Sequence, residues 1–200
     1  MSVIRAFIAI DLPPDVQDCL EQVSAQLKEQ LGEKSVRWVP VQNIHLTLKF
    51  LGDVSLQNLT VLKEILSAEV ITQKPMEVSV GRLGAFPKKL RPRVVWVGIE
   101  APQELMSLQR GIEARAIKVG YPKDKREFFP HLTLGRVSRN ATPEEVRKIG
   151  ETISASKIGF LGVARVQSVH LYKSDLLPTG AVYTKMFSAP MENLGPNQEN

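Results

Sequence analysis

The tetrapeptide His-Leu-Thr-Leu occurs twice, at residues 45–48 and again at residues 131–134. Only three histidines are present in 200 residues, and two of them head these copies. In a strand, residues i and i+2 point to the same face. Each copy therefore sets an imidazole beside a hydroxyl and turns two leucines the other way, toward a core. The repeat calls for two half-buried strands of matching design, and so for a fold that presents one unit twice.

The rest of the chain supplies elements around these strands. Residues 3–10 form an apolar, β-branched run closed by Asp11-Leu12-Pro13-Pro14, the pattern of a buried strand. Val16, Leu20, Val23, Leu27 and Leu31 recur at helical spacing, predicting a helix over residues 14–31 that stops at Gly32. A short strand is expected at residues 36–39 and the first motif strand at 43–51. Ser55 is placed to cap a second helix buried through Leu59, Leu62, Ile65 and Leu66. Strands follow at about residues 76–86 and 93–99. A third helix spans about residues 103–119, a charged loop 120–128, and the second motif strand 130–137. Thr142-Pro143-Glu144-Glu145 has the form of a capping box opening a fourth helix. Strands at about residues 158–172 and 182–188 complete the pattern. The class is α+β. Each half carries one motif strand followed by a helix, which reads as two pseudo-symmetric lobes. No Gly/Ser-rich linker divides them, so residues 1–190 are expected to form one bilobal domain, with residues 191–200 a polar tail.

Bulk properties narrow the chemistry. Hydrophobic residues make up 43%, enough for a packed interior. The net charge of +5 favours contact with polyanions. The single cysteine, Cys19, rules out an internal disulfide and is expected as a buried apolar residue. No apolar stretch approaches the ~20 residues needed to cross a bilayer, and a cytoplasmic protein is expected.

Histidine titrates near neutrality, so two imidazoles in one site allow one to give a proton while the other takes one. The hydroxyls of Thr47 and Thr133 suit non-bridging phosphate oxygens, where charge grows during attack. A cyclic phosphodiester fits this set. Metal chemistry is not indicated: the chain has no His-Glu-x-x-His and no cysteine cluster. Arg136 falls on the inward side by strict alternation, unless it lies past the buried section or a bulge at Gly135 re-aims it toward phosphate. Lys49 shares the face of His45 and is expected in solvent. Burial is the default for Phe7, Phe129 and Tyr183. The basic runs at residues 88–93 and 123–126 are expected as solvated loops able to follow an RNA backbone, and His170 as structural.

Taken together, these residues resemble the two-histidine (2H) phosphoesterases, most closely the bacterial and archaeal RNA 2′,3′-cyclic phosphodiesterases of the 2′–5′ RNA ligase family. The resemblance rests on Arg5-Ala6-Phe7-Ile8-Ala9-Ile10 with Leu12-Pro13, on Trp38-Val39 leading into residues 43–52, on residues 129–136, and on Ser174-Asp175-Leu176 with Gly180 and Tyr183. It implies a central cleft between antiparallel-rich sheets flanked by helices. It also implies metal-independent hydrolysis of 2′,3′-cyclic phosphates to 2′-phosphates without a cofactor, and reversible ATP-independent 2′–5′ joining in some relatives. Carried onto this chain, His45 is the proton donor, His131 the proton acceptor, and Thr47 and Thr133 hold the phosphate, with the acid and base labels exchangeable. The expected partners are RNA ends or small cyclic nucleotides, bound by a monomer. Two alternatives stand beside it: a non-catalytic module that binds RNA ends, and a 2H enzyme for 2′–5′ oligoadenylate or a cyclic phosphate derived from ADP-ribose.

Overall fold

The computed structural model describes residues 3–178 and 180–192. The elements in chain order are β1 (Val3–Ile10), α1 (Pro14–Leu31), β2 (Val36–Trp38), a 3-10 turn (Val41–Asn43), β3 (Leu46–Ser55), α2 (Leu56–Val70), β4 (Met76–Lys88), β5 (Arg91–Glu100), α3 (Gln103–Lys118), β6 (His131–Val137), α4 (Pro143–Ala155), β7 (Phe160–Val166), β8 (Ser168–Leu177) and β9 (Gly180–Pro190). The strands form two antiparallel sheets, ordered β3-β1-β8-β9 and β2-β6-β5-β4-β7. The α+β class expected from the sequence is the class observed.

The local signals act as their chemistry predicts. The Ser55 side chain accepts from the Asn58 N–H at 3.2 Å and starts α2. Thr142 accepts from the Glu145 N–H at 3.2 Å while the Glu145 carboxylate accepts from the Thr142 N–H at 2.6 Å, a complete capping box. Cys19 is only half-buried, not sealed in the core. Met191 is buried and its N–H donates to the Gln167 carbonyl at 2.9 Å. The remainder of the expected tail, residues 193–200, lies outside the described residues.

The lobes are interleaved rather than cut at the chain's midpoint. Helices α2 and α3 pack on the first sheet, while α1 and α4 pack on the second. The run expected as one strand over residues 158–172 is two: β7 borders β4 in the second sheet, and after Gln167 β8 pairs with β1 in the first. Apolar periodicity cannot reveal such a handover, because both sheets bury the same residue types. Strands β3 and β6 lie in different sheets yet approach within 8 Å, Cα to Cα. The second motif strand pairs with β2, and β2 leads directly into the first motif.

Candidate active site

Both motif strands are bulged at the same place. Along β3 the partners run Ala9↔Thr47 and then Ile8↔Lys49, leaving Leu48 as the extra residue. Along β6 they run Trp96↔Thr133 and then Val95↔Gly135, leaving Leu134 as the extra residue. A bulge inverts the alternation beyond it. Leu48 and Lys49 are consequently both buried and Phe50 turns out; Leu134 and Gly135 are both buried and Arg136 turns out. Arg136 thus joins the face of His131 and Thr133, and Phe50, at 57% exposure, joins that of His45 and Thr47.

The same bulge corrects the expectation for Lys49, which is 1% exposed. Its ammonium lies 3.2 Å from Glu113 and 3.1 Å from Asp124, and donates to the Pro122 carbonyl at 2.7 Å. Asp124 belongs to the charged run at residues 123–126, so part of that run is a clasp rather than a free loop. The basic run at residues 88–93 lies at the tip of the β4–β5 hairpin, where a short turn joins the two strands.

The two imidazoles are held identically. His45 Nδ1 is 2.8 Å from the Asn43 carbonyl, and His131 Nδ1 is 2.7 Å from the Phe129 carbonyl. A carbonyl only accepts, so each Nδ1 carries hydrogen and each Nε2 is left for chemistry. Both rings are partly exposed, as are Thr47 and Thr133. Each ring also rests among aromatics. His45 stacks on Phe7 at 4.7 Å between centroids, Phe7 stacks on Tyr172 at 5.3 Å, and Tyr183 meets His45 edge-on at 5.2 Å. His131 meets Phe86 edge-on at 4.9 Å, with Trp96 at 6.4 Å. The Trp96 indole lies over Gly84, where a Cβ would collide with it.

Phe7 is buried as expected, but its burial is against His45. Phe129 departs from the expectation at 51% exposed, packed against Phe86 and Trp96 on one side only. His170 is buried between the Ser168 and Ser188 hydroxyls, at 3.2 and 2.9 Å, in agreement with a structural role.

The surroundings of the two imidazoles differ in sign. Burial pushes both below the ordinary value of 6.5. For His45 the Asn43 carbonyl and the Asp11 carboxylate work in the opposite direction. For His131 the Phe129 carbonyl does so, while the Arg136 guanidinium lowers it further. Asp11 is a residue that sequence reasoning passed over as a turn. It accepts from the Tyr172 hydroxyl and the Lys185 ammonium, each at 2.6 Å, and lies 3.5 Å from His170. Burial raises its carboxyl, but the Lys185 and Tyr172 hydrogen bonds outweigh that and keep it ionised below the ordinary value. Tyr172, also missed, is pushed up by burial and by that bond. No local pattern marks either one, since they meet only through the β1–β8 pairing. Among the described residues no three His, Cys, Asp or Glu side chains group as metal ligands, and no described helix is long and apolar enough to cross a membrane.

Two matched strands each carry an imidazole, a hydroxyl and a bulge-turned residue on one face. Comparison with known proteins gives the family. The family model described as LigT like phosphoesterase matches twice, at residues 10–96 and 97–183. Proteins named RNA 2′,3′-cyclic phosphodiesterase share 34% identity over 92% of this chain and 96% of the relative in Methanothermobacter thermautotrophicus, and 36% over 90% and 96% in Archaeoglobus fulgidus. The crystal structure of Escherichia coli LigT complexed with 3′-AMP superposes with a TM-score of 0.76 at 26% identity, covering 95% of this chain and 99% of that one. The chain belongs to the LigT-like phosphoesterase family.

Proposed function

We propose that this protein hydrolyses 2′,3′-cyclic phosphates at RNA ends to 2′-phosphates, without a metal, through His45 and His131. The observation that carries the reading is the identical Nδ1 clamp on two imidazoles of opposite electrostatic surroundings. Asp11 favours the protonated form of His45, and Arg136 favours the neutral form of His131. His131 Nε2 takes a proton from water as the water oxygen bonds to phosphorus. The bond from phosphorus to the 3′ oxygen breaks, and His45 Nε2–H protonates that oxygen. Thr47, Thr133 and Arg136 hold the non-bridging oxygens as their charge rises. With a 5′-hydroxyl in place of water, the same steps join RNA through a 2′–5′ linkage. The names of the relatives and the family match support the substrate.

The test is turnover of an RNA oligonucleotide ending in a 2′,3′-cyclic phosphate, in the presence of a chelator. A 2′-phosphate product is expected. H45A and H131A should each lower kcat/KM by about 10²–10⁴. A 3′-phosphate product, abolition by the chelator, or near-parental activity in either variant overturns the mechanism. Binding with no product under any condition favours the end-binding module instead.

A further inference from the structure

Strand β2 adds a cation that neither histidine motif contains. Across the antiparallel β2–β6 pair, Arg37 stands directly opposite Arg136. Directly opposed residues share a face, with Cα atoms about 5 Å apart. The flanking residues settle which face. A Cβ on Gly135 would lie 2.6 Å from Val36 Cγ1 and 3.1 Å from Trp38 Cε3, so Val36 and Trp38 cover the core side of β6. Arg37, between them, points the other way, to the face that Arg136 shares with His131 and Thr133. Both arginines are exposed. Among the described residues neither is in an ion pair, although seven such pairs occur elsewhere. Like charges directly opposed across a strand pair destabilise it. The arrangement is locally unfavourable in the free protein and is relieved by an anion lying between or along the two guanidiniums. Strand β2 is the edge of its sheet, so no further strand blocks the way past Arg37.

We propose that Arg37 is a specificity residue that binds the backbone phosphate on the 5′ side of the terminal nucleotide, so that the enzyme takes the end of an RNA chain in preference to a cyclic mononucleotide. The inference rests on the reading of the site given above and deepens it. Arg136 serves the reacting phosphate, and Arg37 serves the next one along the chain, leaving over the β2 edge. A guanidinium suits this task because its planar fork can meet two phosphate oxygens at once.

The experiment compares kcat/KM for a 2′,3′-cyclic mononucleotide lacking a 5′-phosphate, the same nucleotide carrying one, and a dinucleotide ending in the cyclic phosphate. The parent enzyme should prefer the two substrates that hold a second phosphate. R37Q should cut the ratio of dinucleotide to mononucleotide kcat/KM by about ten- to a hundredfold, and R37K should recover only part of it. The salt slope of RNA binding should fall by about one unit in R37Q. R147Q, on the outer helix α4, serves as the control for loss of one positive charge and should change none of these ratios. A parent enzyme indifferent to the second phosphate overturns the inference, and so does an R37Q variant that loses both substrates equally. A preference for the dinucleotide that the 5′-phosphorylated mononucleotide does not share also overturns it, since the phosphate would not then be what is read. Affinity for RNA that already ends in a 2′-phosphate, measured by fluorescence anisotropy, separates this inference from the hydrolysis reading. A loss of affinity in R37Q supports the subsite whether or not the protein turns over, and unchanged affinity sinks it.

Discussion

Two residues outside the repeated tetrapeptide set the charge around the two imidazoles of the proposed site. Asp11 and Arg136 act on His45 and His131 with opposite signs, upon a burial effect that lowers both. An active form with one proton shared over two imidazoles gives a bell-shaped pH profile of kcat/KM. In the proposed roles, with His131 neutral and His45 protonated, the acid limb follows His131 and the alkaline limb follows His45. Removing the guanidinium in R136Q lets the His131 value rise, so the acid limb moves to higher pH. Removing the carboxylate in D11N lets the His45 value fall, so the alkaline limb moves to lower pH. Each variant should therefore narrow the bell, and a bell that widens in either would reverse the charge ordering. The histidines and threonines themselves were legible in the sequence because a repeated phrase at strand periodicity is a local signal. Asp11, Tyr172 and Arg37 were not, because each acquires its neighbour only through pairing with a strand distant in the chain.

Among the elements, the bulges of β3 and β6 decide most. Without them Lys49 would share the face of His45, as simple alternation predicts, and Arg136 would point into the core. The residue pair at the bulge is Leu48-Lys49 in one strand and Leu134-Gly135 in the other, and the difference reflects what lies beneath. Under Gly135 the side chains of Val36 and Trp38 leave no room for a Cβ, so β2 packs flush against β6. Gly135→Ala should overpack this contact and cost about 1–3 kcal/mol. Urea unfolding should show a lower midpoint at unchanged slope, together with a loss of the RNA preference assigned to Arg37. Helix ends were far more readable than bulges. Ser55, Thr142-Pro143 and Gly32 each act through bonds to residues within four positions, so the sequence contains the whole cause. A bulge depends on two strands at once.

Across the whole molecule, Lys49 ties one motif to the segment that delivers the other. Its ammonium on β3 holds Glu113 of α3 and both Pro122 and Asp124, in the stretch that runs on to Phe129 and His131. Stripping both carboxylates, in E113A/D124A, leaves a buried cation with one carbonyl and should cost about 3–5 kcal/mol. Lys49→Met should cost less, because Asp124 is 43% exposed and Glu113 keeps the Asp124 N–H as a donor. Equilibrium urea denaturation gives the order, and the opposite order would mean that the ammonium has another outlet to solvent. Element types, helix caps, the α+β class and the candidate His and Thr side chains follow from periodicity, short-range bonding and a repeated phrase, all contained in stretches of a few residues. The crossing of β7 and β8 between sheets, the burial of Lys49, the face of Arg136 and the opposite charges beside the two imidazoles came only with the folded chain. Each depends on which strand lies next to which, and long-range pairing leaves no mark in the neighbourhood of the residues it affects.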